Sequence, residues 1–314
     1  MTHSTPPIGV LVLAYGGPNN LDEVEPYLLD VRGGRPTSPE LVEEIRERYR
    51  LIGGRSPILE LTQAQVSALE VALNATGDGQ RFRTTIGMRH WYPYIKQAVE
   101  QMAADGLTRV IAIVLAPHYS RMSISAYIKK VEEALAEVGG SLDVTYVESY
   151  HLHPLYLQAL AERVQEARQR FPETERASVP VIFTAHSLPE RILQWQDPYP
   201  RQLMETARAI ADLVGPVNWR FAYQSAGRSA EPWLGPDAGE VIQQLADAGE
   251  KNVLIAPVGF VSDHVEILYD IDFEFRQQAE ALGMRLERTT SLNDSPLFIA
   301  ALADVVRSRV AAQA

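Results

Sequence analysis

The chain has 314 residues, 46% hydrophobic and 22% charged. That composition excludes a disordered chain, and the length suits two packed domains better than one simple core. There is no cysteine, which excludes a disulfide scaffold, a thiol nucleophile, a Cys-based zinc site and a protein-ligated iron–sulfur cluster. Forty acidic against 29 basic residues give a formal net charge of -11, the wrong sign for a general nucleic-acid or anionic-membrane surface.

The first element expected is a strand, Ile8–Ala14, an apolar run that ends in the turn YGGP. It is far shorter than the roughly 20 residues of a membrane span, and no basic leader region precedes it. A cytoplasmic chain with no integral membrane segment is therefore expected. Helical patterns follow over Pro39–Leu51 and Tyr94–Asp105, then a strand over Val110–Ala116 that runs into PHYS. Helices over Ala126–Val138 and Leu155–Gln169 precede a strand, Val181–Thr184, that runs into AHSLP. Helices over Pro200–Val214 and Ala238–Ala248, a strand Val253–Ala256 that runs into PVGF, and a last helix Pro296–Val310 complete the pattern. The four strands read as buried on both faces, and their alternation with helices predicts crossover units in parallel sheets. Strands one and two are arranged like strands three and four, so two similar α/β halves are expected, with the change of half near 139–150. The domains are drawn at 1–145 and 146–295, with the C-terminal helix, 296–314, packing back on the first.

Ligands of open parallel sheets bind beyond the carboxyl ends of strands. Tyr15, His118, Tyr119, His186, His264 and Glu266 all follow strands and are expected to face one cleft between the halves; a lone strand-end histidine is more often a hydrogen-bonded turn residue, but two with a nearby acid shift the balance toward function. In SDHVEILYDIDFEFRQQAE, Ser262–Glu280, the acids Glu266, Asp270 and Glu274 recur every four residues and so line one helical face, with Ser262 or Asp263 as cap. That line is either a solvated acidic face or a carboxylate ladder leading to a buried histidine, whose oxygen and imidazole ligands would suit divalent iron. The stretch Arg32–Arg55 carries six arginines against four glutamates. It is read either as helix-surface ion pairs or as an anion-binding rim. His151 and His153 are read as a surface loop, and Trp91, Trp195, Trp219 and Trp233 as core.

Eight strings carry a family resemblance: AYGGP at 14–18, IGGRSP at 52–57, GMRHWYP at 87–93, VLAPHYS at 114–120, AHSLPER at 185–191, DPYP at 197–200, PWLGP at 232–236 and PVGFVSDHVEILYDID at 257–272. Together, over about residues 8–310, they closely resemble ferrochelatase. The resemblance implies two Rossmann-like α/β domains with parallel sheets around a porphyrin cleft, and insertion of Fe(II) into a porphyrin, with porphyrin and Fe(II) as substrates and no tightly bound cofactor. His186 matches the family's essential histidine, and Glu266 the carboxylate that faces it; together they would bind or hand over iron. Asp270 and Glu274 match an outer acidic path where a second divalent ion, magnesium, can sit. Tyr15 matches a tyrosine that approaches the metal from the other face of the macrocycle. Arg32, Arg48, Tyr49, Ser56 and Tyr127 match positions that touch the macrocycle or its propionates. Arg89 stands where the soluble bacterial branch commonly has lysine, beside His90.

The resemblance is greatest to the soluble branch that metallates coproporphyrin III. The charged Arg32–Arg55 stretch replaces the apolar lip of the membrane-associated branch, and four propionates make coproporphyrin the more anionic substrate. Protoporphyrin IX, giving protohaem, is the close alternative. A non-catalytic porphyrin or haem carrier, and a cobalt or nickel chelatase, stand behind it; a periplasmic solute-binding protein is disfavoured by the missing leader. A downstream haem-pathway enzyme is the expected recipient of the product.

Overall fold

The structure, a computed structural model, describes residues 6–75, 79–139 and 142–312. In chain order its elements are β1 (Ile8–Ala14), α1 (Val24–Val31), α2 (Pro39–Leu51), α3 (Ile58–Asn74), β2 (Phe82–Met88), α4 (Ile95–Ala104), β3 (Arg109–Val114), α5 (Ile124–Val138) and β4 (Asp143–Val147). They continue with α6 (Pro154–Arg168), β5 (Val181–His186), α7 (Arg191–Gln194), α8 (Tyr199–Val214), β6 (Trp219–Gln224), α9 (Ala238–Asp247), β7 (Asn252–Ala256), α10 (Val265–Leu268), α11 (Arg276–Ala281), β8 (Arg285–Arg288) and α12 (Pro296–Ala311). Positions 313 and 314 of the expected last helix, and 140–141 of the expected change of half, lie outside the described residues. No described helix is long and apolar enough to cross a membrane.

Contacts divide the chain into two units. The first comprises residues through Pro117, Ser123–Tyr150 and those from Asn293 on; the second comprises His118–Met122 and His151–Leu292. A change of domain at 145 would cut β4, which pairs with β3 from Arg109↔Asp143 to Ile113↔Val147, and the observed division falls after Tyr150 instead. His118–Met122 join the second unit because the buried Asp197 carboxylate accepts from Ser120 Oγ at 3.1 Å and from the Arg121 amide at 2.8 Å.

Each unit holds one parallel four-stranded sheet, in the order β2-β1-β3-β4 and β6-β5-β7-β8 respectively. Within each unit the order is thus second, first, third, fourth. The chain leaves the first strand toward one edge and the third toward the other, so the loops after these two strands part and leave a crevice at their carboxyl ends. The repeat seen weakly in the sequence is this shared topology, and the fold is the expected pair of similar α/β domains.

Local chemistry explains the elements that frame these crevices. β1 is buried along its whole length, which is why it reads as an unbroken apolar run. α2 starts where Ser38 Oγ accepts from the Leu41 amide at 3.4 Å with Pro39 in the first turn, and its last turn carries Arg48 and Arg50, the favourable sign for a helix C-terminus. α9 starts on a reciprocal cap between Asp237 and Glu240. α12 buries Phe298, Ile299, Leu302 and Val306 against α3, β3 and β4 of the first unit. In the second unit one core joins Ile182, Ala222, Ile242, Val253, Ile255, Ile267, Ile271 and Leu286, fastening α9 and the 265–275 segment to the sheet.

Ile255 is fully buried in that core. Ile255→Ala should destabilise the second unit by about 2–5 kcal/mol, read as a lower denaturant midpoint with unchanged slope; a loss under about 1 kcal/mol would show that the site collapses around the deletion.

Candidate functional site

In the second unit the crevice lies between the loops that follow β5 and β7. β5 outruns its neighbour: its register with β7 ends at Phe183↔Ala256, leaving Thr184, Ala185 and His186 beyond it. The β7 loop then folds back over that extension. The Gly259 amide donates to the Thr184 carbonyl at 3.1 Å, and a Cβ on Gly259 would stand 2.5 Å from Ala185 Cβ and 2.8 Å from its Cα. Only glycine permits this approach. Tyr156 Oη, fully buried on α6, donates to the Val258 carbonyl at 2.8 Å and fixes the same loop from below.

The loop delivers Glu266, on α10, to His186. His186 Nε2 and Glu266 Oε1 are 3.4 Å apart, while the other carboxylate oxygen lies 3.6 Å from His264 Nε2. His186 Nδ1 donates to the Ser187 carbonyl and His264 Nδ1 to the Ser262 carbonyl at 3.0 Å, so both imidazoles turn Nε2 toward the carboxylate. About one third of each side chain of the central pair is exposed (33% and 31%), yet burial is the largest single influence on both. For His186 burial works against the proton, but the charge and hydrogen bond of Glu266, the Ser187 carbonyl and the charge of Asp270 outweigh it and push the imidazole up to about 9. For Glu266 burial favours the neutral acid, and His186 with His264 overrides it, holding the carboxyl well below the usual carboxylate range. At neutral pH the pair is an imidazolium facing a carboxylate. Its geometry offers one nitrogen and one carboxylate that can exchange a proton for a cation.

The expected single helix over 262–280 is broken. After α10 the segment Asp270–Phe275 widens into a π-helical turn, in which the Tyr269 carbonyl accepts both the Phe273 amide at 3.0 Å and the Glu274 amide at 3.1 Å. The acids therefore do not share one evenly exposed line: Asp270 is buried and accepts from Ser225 Oγ at 2.5 Å, whereas Glu274 is exposed. Such π turns recur at functional sites. Asp272 instead takes a two-pronged bond from Arg288 (2.9 Å from each nitrogen), and Asp263 lies 3.4 Å from the same guanidinium. Among the described residues no three His, Asp or Glu side chains converge on one metal position.

His118 and Tyr119 do not join His186. His118 is buried with Nε2 2.9 Å from Thr206 Oγ1, and burial, then His151, push its imidazole down to about 3; it is a neutral packing group. The Tyr119 amide donates to Gln202 Oε1 at 2.7 Å. Nor are His151 and His153 a bare surface loop. His151 Nε2 lies 2.9 Å from Glu205, and His153 precedes α6.

In the first unit Tyr15 follows β1 and is exposed. Its ring lies 4.7 Å from that of His90, and the Arg89 guanidinium sits 5.9 Å from its centroid and 5.4 Å from that of Tyr127. His90 Nδ1 donates to Asp30 at 2.8 Å; burial, against the pull of Asp30, holds the imidazole down to about 4. Tyr49, Ser56 and Tyr127 are buried, Ser56 in a contact that a Cβ on Gly17 would close to 2.6 Å. Arg48 pairs with Glu44 at 3.2 Å, and Arg46, Arg50 and Arg55 pair with glutamates of their own neighbourhood. Arg32 is exposed and has no carboxylate partner among the described residues.

Sequence reasoning missed Thr184, Gln224 and Ser225, which surround the pair, and Tyr199, whose hydroxyl donates to the His186 carbonyl at 3.0 Å. Gln224 ends β6 and Ser225 follows it; β6 is an edge strand whose apolar run is broken by Arg220. Tyr199 stands in the DPYP string, which carries the family resemblance and gives no role of its own to this tyrosine.

The family model described as ferrochelatase matches residues 7–310. A ferrochelatase from Deinococcus radiodurans is 50% identical over 307 residues, covering 97% of this chain and 96% of that one. A coproporphyrin III ferrochelatase from Geobacillus kaustophilus is 44% identical over 302 residues, covering 96% and 95%. Among solved structures, SirB from Bacillus subtilis with Fe3+ has a TM-score of 0.59 at 11% identity over 96% of this chain and 95% of that one, a likeness of fold alone.

Two outcomes follow from this geometry. Gly259→Ala should displace the β7 loop and cut turnover by about tenfold to a hundredfold; a variant with full turnover would show that the loop yields without moving Glu266. In Glu266→Gln the main influence raising His186 is gone while burial remains, so its imidazole should titrate well below about 9, at or under the ordinary 6.5, by NMR of the ring. Because the folded value of His186 lies above 6.5 and that of Glu266 below 4.5, the wild-type pair contributes its full stability between pH 4.5 and 6.5, loses the imidazole's share as pH rises through about 9 and the carboxylate's as pH falls below 4.5. The Gln variant should lack that slope.

Proposed function

The chain belongs to the ferrochelatase family and is a metal-insertion enzyme of haem biosynthesis, and from that we propose that its substrate is coproporphyrin III, metallated with Fe(II) to coprohaem. The charged stretch from Arg32 to α2 carries this reading. Arginines already neutralised by a helix neighbour add little to anion binding, so the proposal leans on Arg32, exposed with no carboxylate partner among the described residues. A substrate with four propionates gains more from such a cation than one with two. The name carried by the Geobacillus relative points the same way.

A flat porphyrin turns its nitrogen lone pairs away from a metal approaching along the ring normal, and two pyrrole protons must leave as iron enters. In the proposed mechanism the macrocycle binds bent, with the strain offset by remote contacts from Arg32, Arg48, Tyr49, Ser56 and Tyr127. His186 Nε2 and Glu266 serve as the inner pair: the imidazolium first gives its proton to solvent along Asp270 and Glu274, the carboxylate stabilises the arriving cation, and the neutral imidazole then ligates it or takes one pyrrole proton, the protons released leaving by the same acidic route. Asp270 and Glu274 would form the outer acidic path, and Tyr15 would supply a phenolic oxygen ligand to the porphyrin iron. The magnesium ion expected at Asp270 and Glu274 would find no cage of three acidic or imidazole ligands among the described residues. The reaction is placed in the cytoplasm, with its product taken up by a later enzyme of haem synthesis.

The test is anaerobic. With Fe(II) and matched coproporphyrin III or protoporphyrin IX, loss of porphyrin fluorescence should be faster for coproporphyrin; faster turnover of protoporphyrin would overturn the substrate assignment. His186→Ala should lower turnover with either porphyrin by about a hundredfold or more, and a variant that keeps normal turnover would remove His186 from the mechanism.

A further inference from the structure

Gln224 is fully buried at the end of β6, directly opposite His186 in the β5–β6 register. It is bonded on both sides of the reacting pair. Its backbone carbonyl accepts from the Ser187 amide at 2.8 Å, fixing the peptide that follows His186. Its side-chain Nε2 donates to the backbone carbonyl of Glu266, also at 2.8 Å. Thr184, fully buried two residues before His186, donates its hydroxyl to Gln224 Oε1 at 2.7 Å.

The polarity of this chain is forced. The Glu266 carbonyl only accepts, so the amide must present its NH2 group there; the amide oxygen then faces Thr184, whose hydroxyl must donate. The Glu266 carbonyl belongs to a four-residue helix that gives way to a π turn, the kind of end where carbonyls need partners from outside the helix. No atom of Gln224 or Thr184 is placed to touch a reacting group: both side chains are spent on each other and on the Glu266 backbone. Directly after Gln224, Ser225 takes a left-handed conformation, φ 58°, which belongs to the same junction and lets its hydroxyl reach Asp270.

We propose that Thr184 and Gln224 are positioning residues for metal insertion: their buried hydrogen-bond chain sets the distance between His186 and Glu266 by tying the Glu266 backbone to the strand that carries His186. This rests on the reading of His186 and Glu266 as the inner pair. A bond made to the Glu266 backbone acts on where the carboxylate stands, so its loss should be felt in the chemical step and not in porphyrin binding.

The test uses the full-length enzyme with Thr184→Val, Thr184→Ser and Gln224→Met, and His186→Ala in parallel. The expected result is that Thr184→Val and Gln224→Met lower kcat about tenfold with the porphyrin KM unchanged, that Thr184→Ser restores wild-type kcat, and that crystal structures of the two impaired variants show His186 Nε2 and Glu266 Oε1 farther apart than 3.4 Å. If Gln224→Met fails to fold, the Thr184 pair alone decides. An unchanged separation overturns the proposal, as does a serine variant as impaired as the valine one, or a fall in kcat that only tracks lowered thermal stability. A longer separation with unchanged kcat also overturns it; His186→Ala then tells whether the fault lies with the pair's role, if that variant too keeps its turnover.

Discussion

An imidazolium and a carboxylate 3.4 Å apart, each only one third exposed, hold one another in charged form, because removing either would strand its partner's charge in partly desolvated surroundings. The sheet, the loop and the buried hydrogen bonds of the second unit serve that separation. β5 extends past β7 so that His186 stands clear of the sheet; Gly259 lets the β7 loop lie against Ala185; Tyr199 and the Gln224 backbone hold, from its two ends, the peptide that joins His186 to Ser187. None of these groups is charged. The charge is confined to side chains that face each other, and neutral bonds fix the backbone beneath them, so the charge on the pair can change without moving the backbone that carries it.

The acidic segment that follows obeys the same logic. A run with Asp263, Glu266, Asp270, Asp272 and Glu274 would repel itself on one α-helical face. The structure gives most of these acids a partner of their own: Arg288 for Asp272 and Asp263, Ser225 for Asp270, two imidazoles for Glu266. The π turn helps by changing the rotation between Glu266 and the acids beyond it, so that one is buried and another exposed. Four-residue spacing alone does not reveal this, because the partners come from β5, β8, the residue after β6 and the turn before α10.

What was legible in the sequence follows from burial. The four strands read as apolar runs, β1, β3, β5 and β7, are the inner strands of the two sheets, and the four that went unread, β2, β4, β6 and β8, are the edges. An inner parallel strand is covered on both faces and carries apolar residues throughout; an edge strand such as Trp219–Gln224 or Arg285–Arg288 is interrupted by charged or polar residues and looks like loop. The long helix α3 was missed although it buries Leu69 and Leu73, because polar and apolar residues are mixed along it without a sharp stripe. His186 and Glu266 were legible because they follow inner strands. Gln224, Ser225 and Thr184 were not, since the first ends an edge strand, the second follows it, and the third closes a run that showed only its hydrophobicity. His118, which follows an inner strand too, shows the limit of that rule: its loop packs into the second unit and buries the imidazole.

The last helix has a bearing on how the protein is made. α12 covers α3, β3 and β4, yet it lies beyond the whole second unit in the chain. During synthesis the first sheet therefore leaves the ribosome with an apolar surface that waits through the translation of more than a hundred further residues, His151–Leu292, before its cover exists. The second unit, an unbroken stretch apart from His118–Met122, can complete its core sooner. The nascent chain is thus assembled out of order, with the half begun first being finished last, and its early half is the part most exposed to aggregation and most in need of a chaperone while the rest is made.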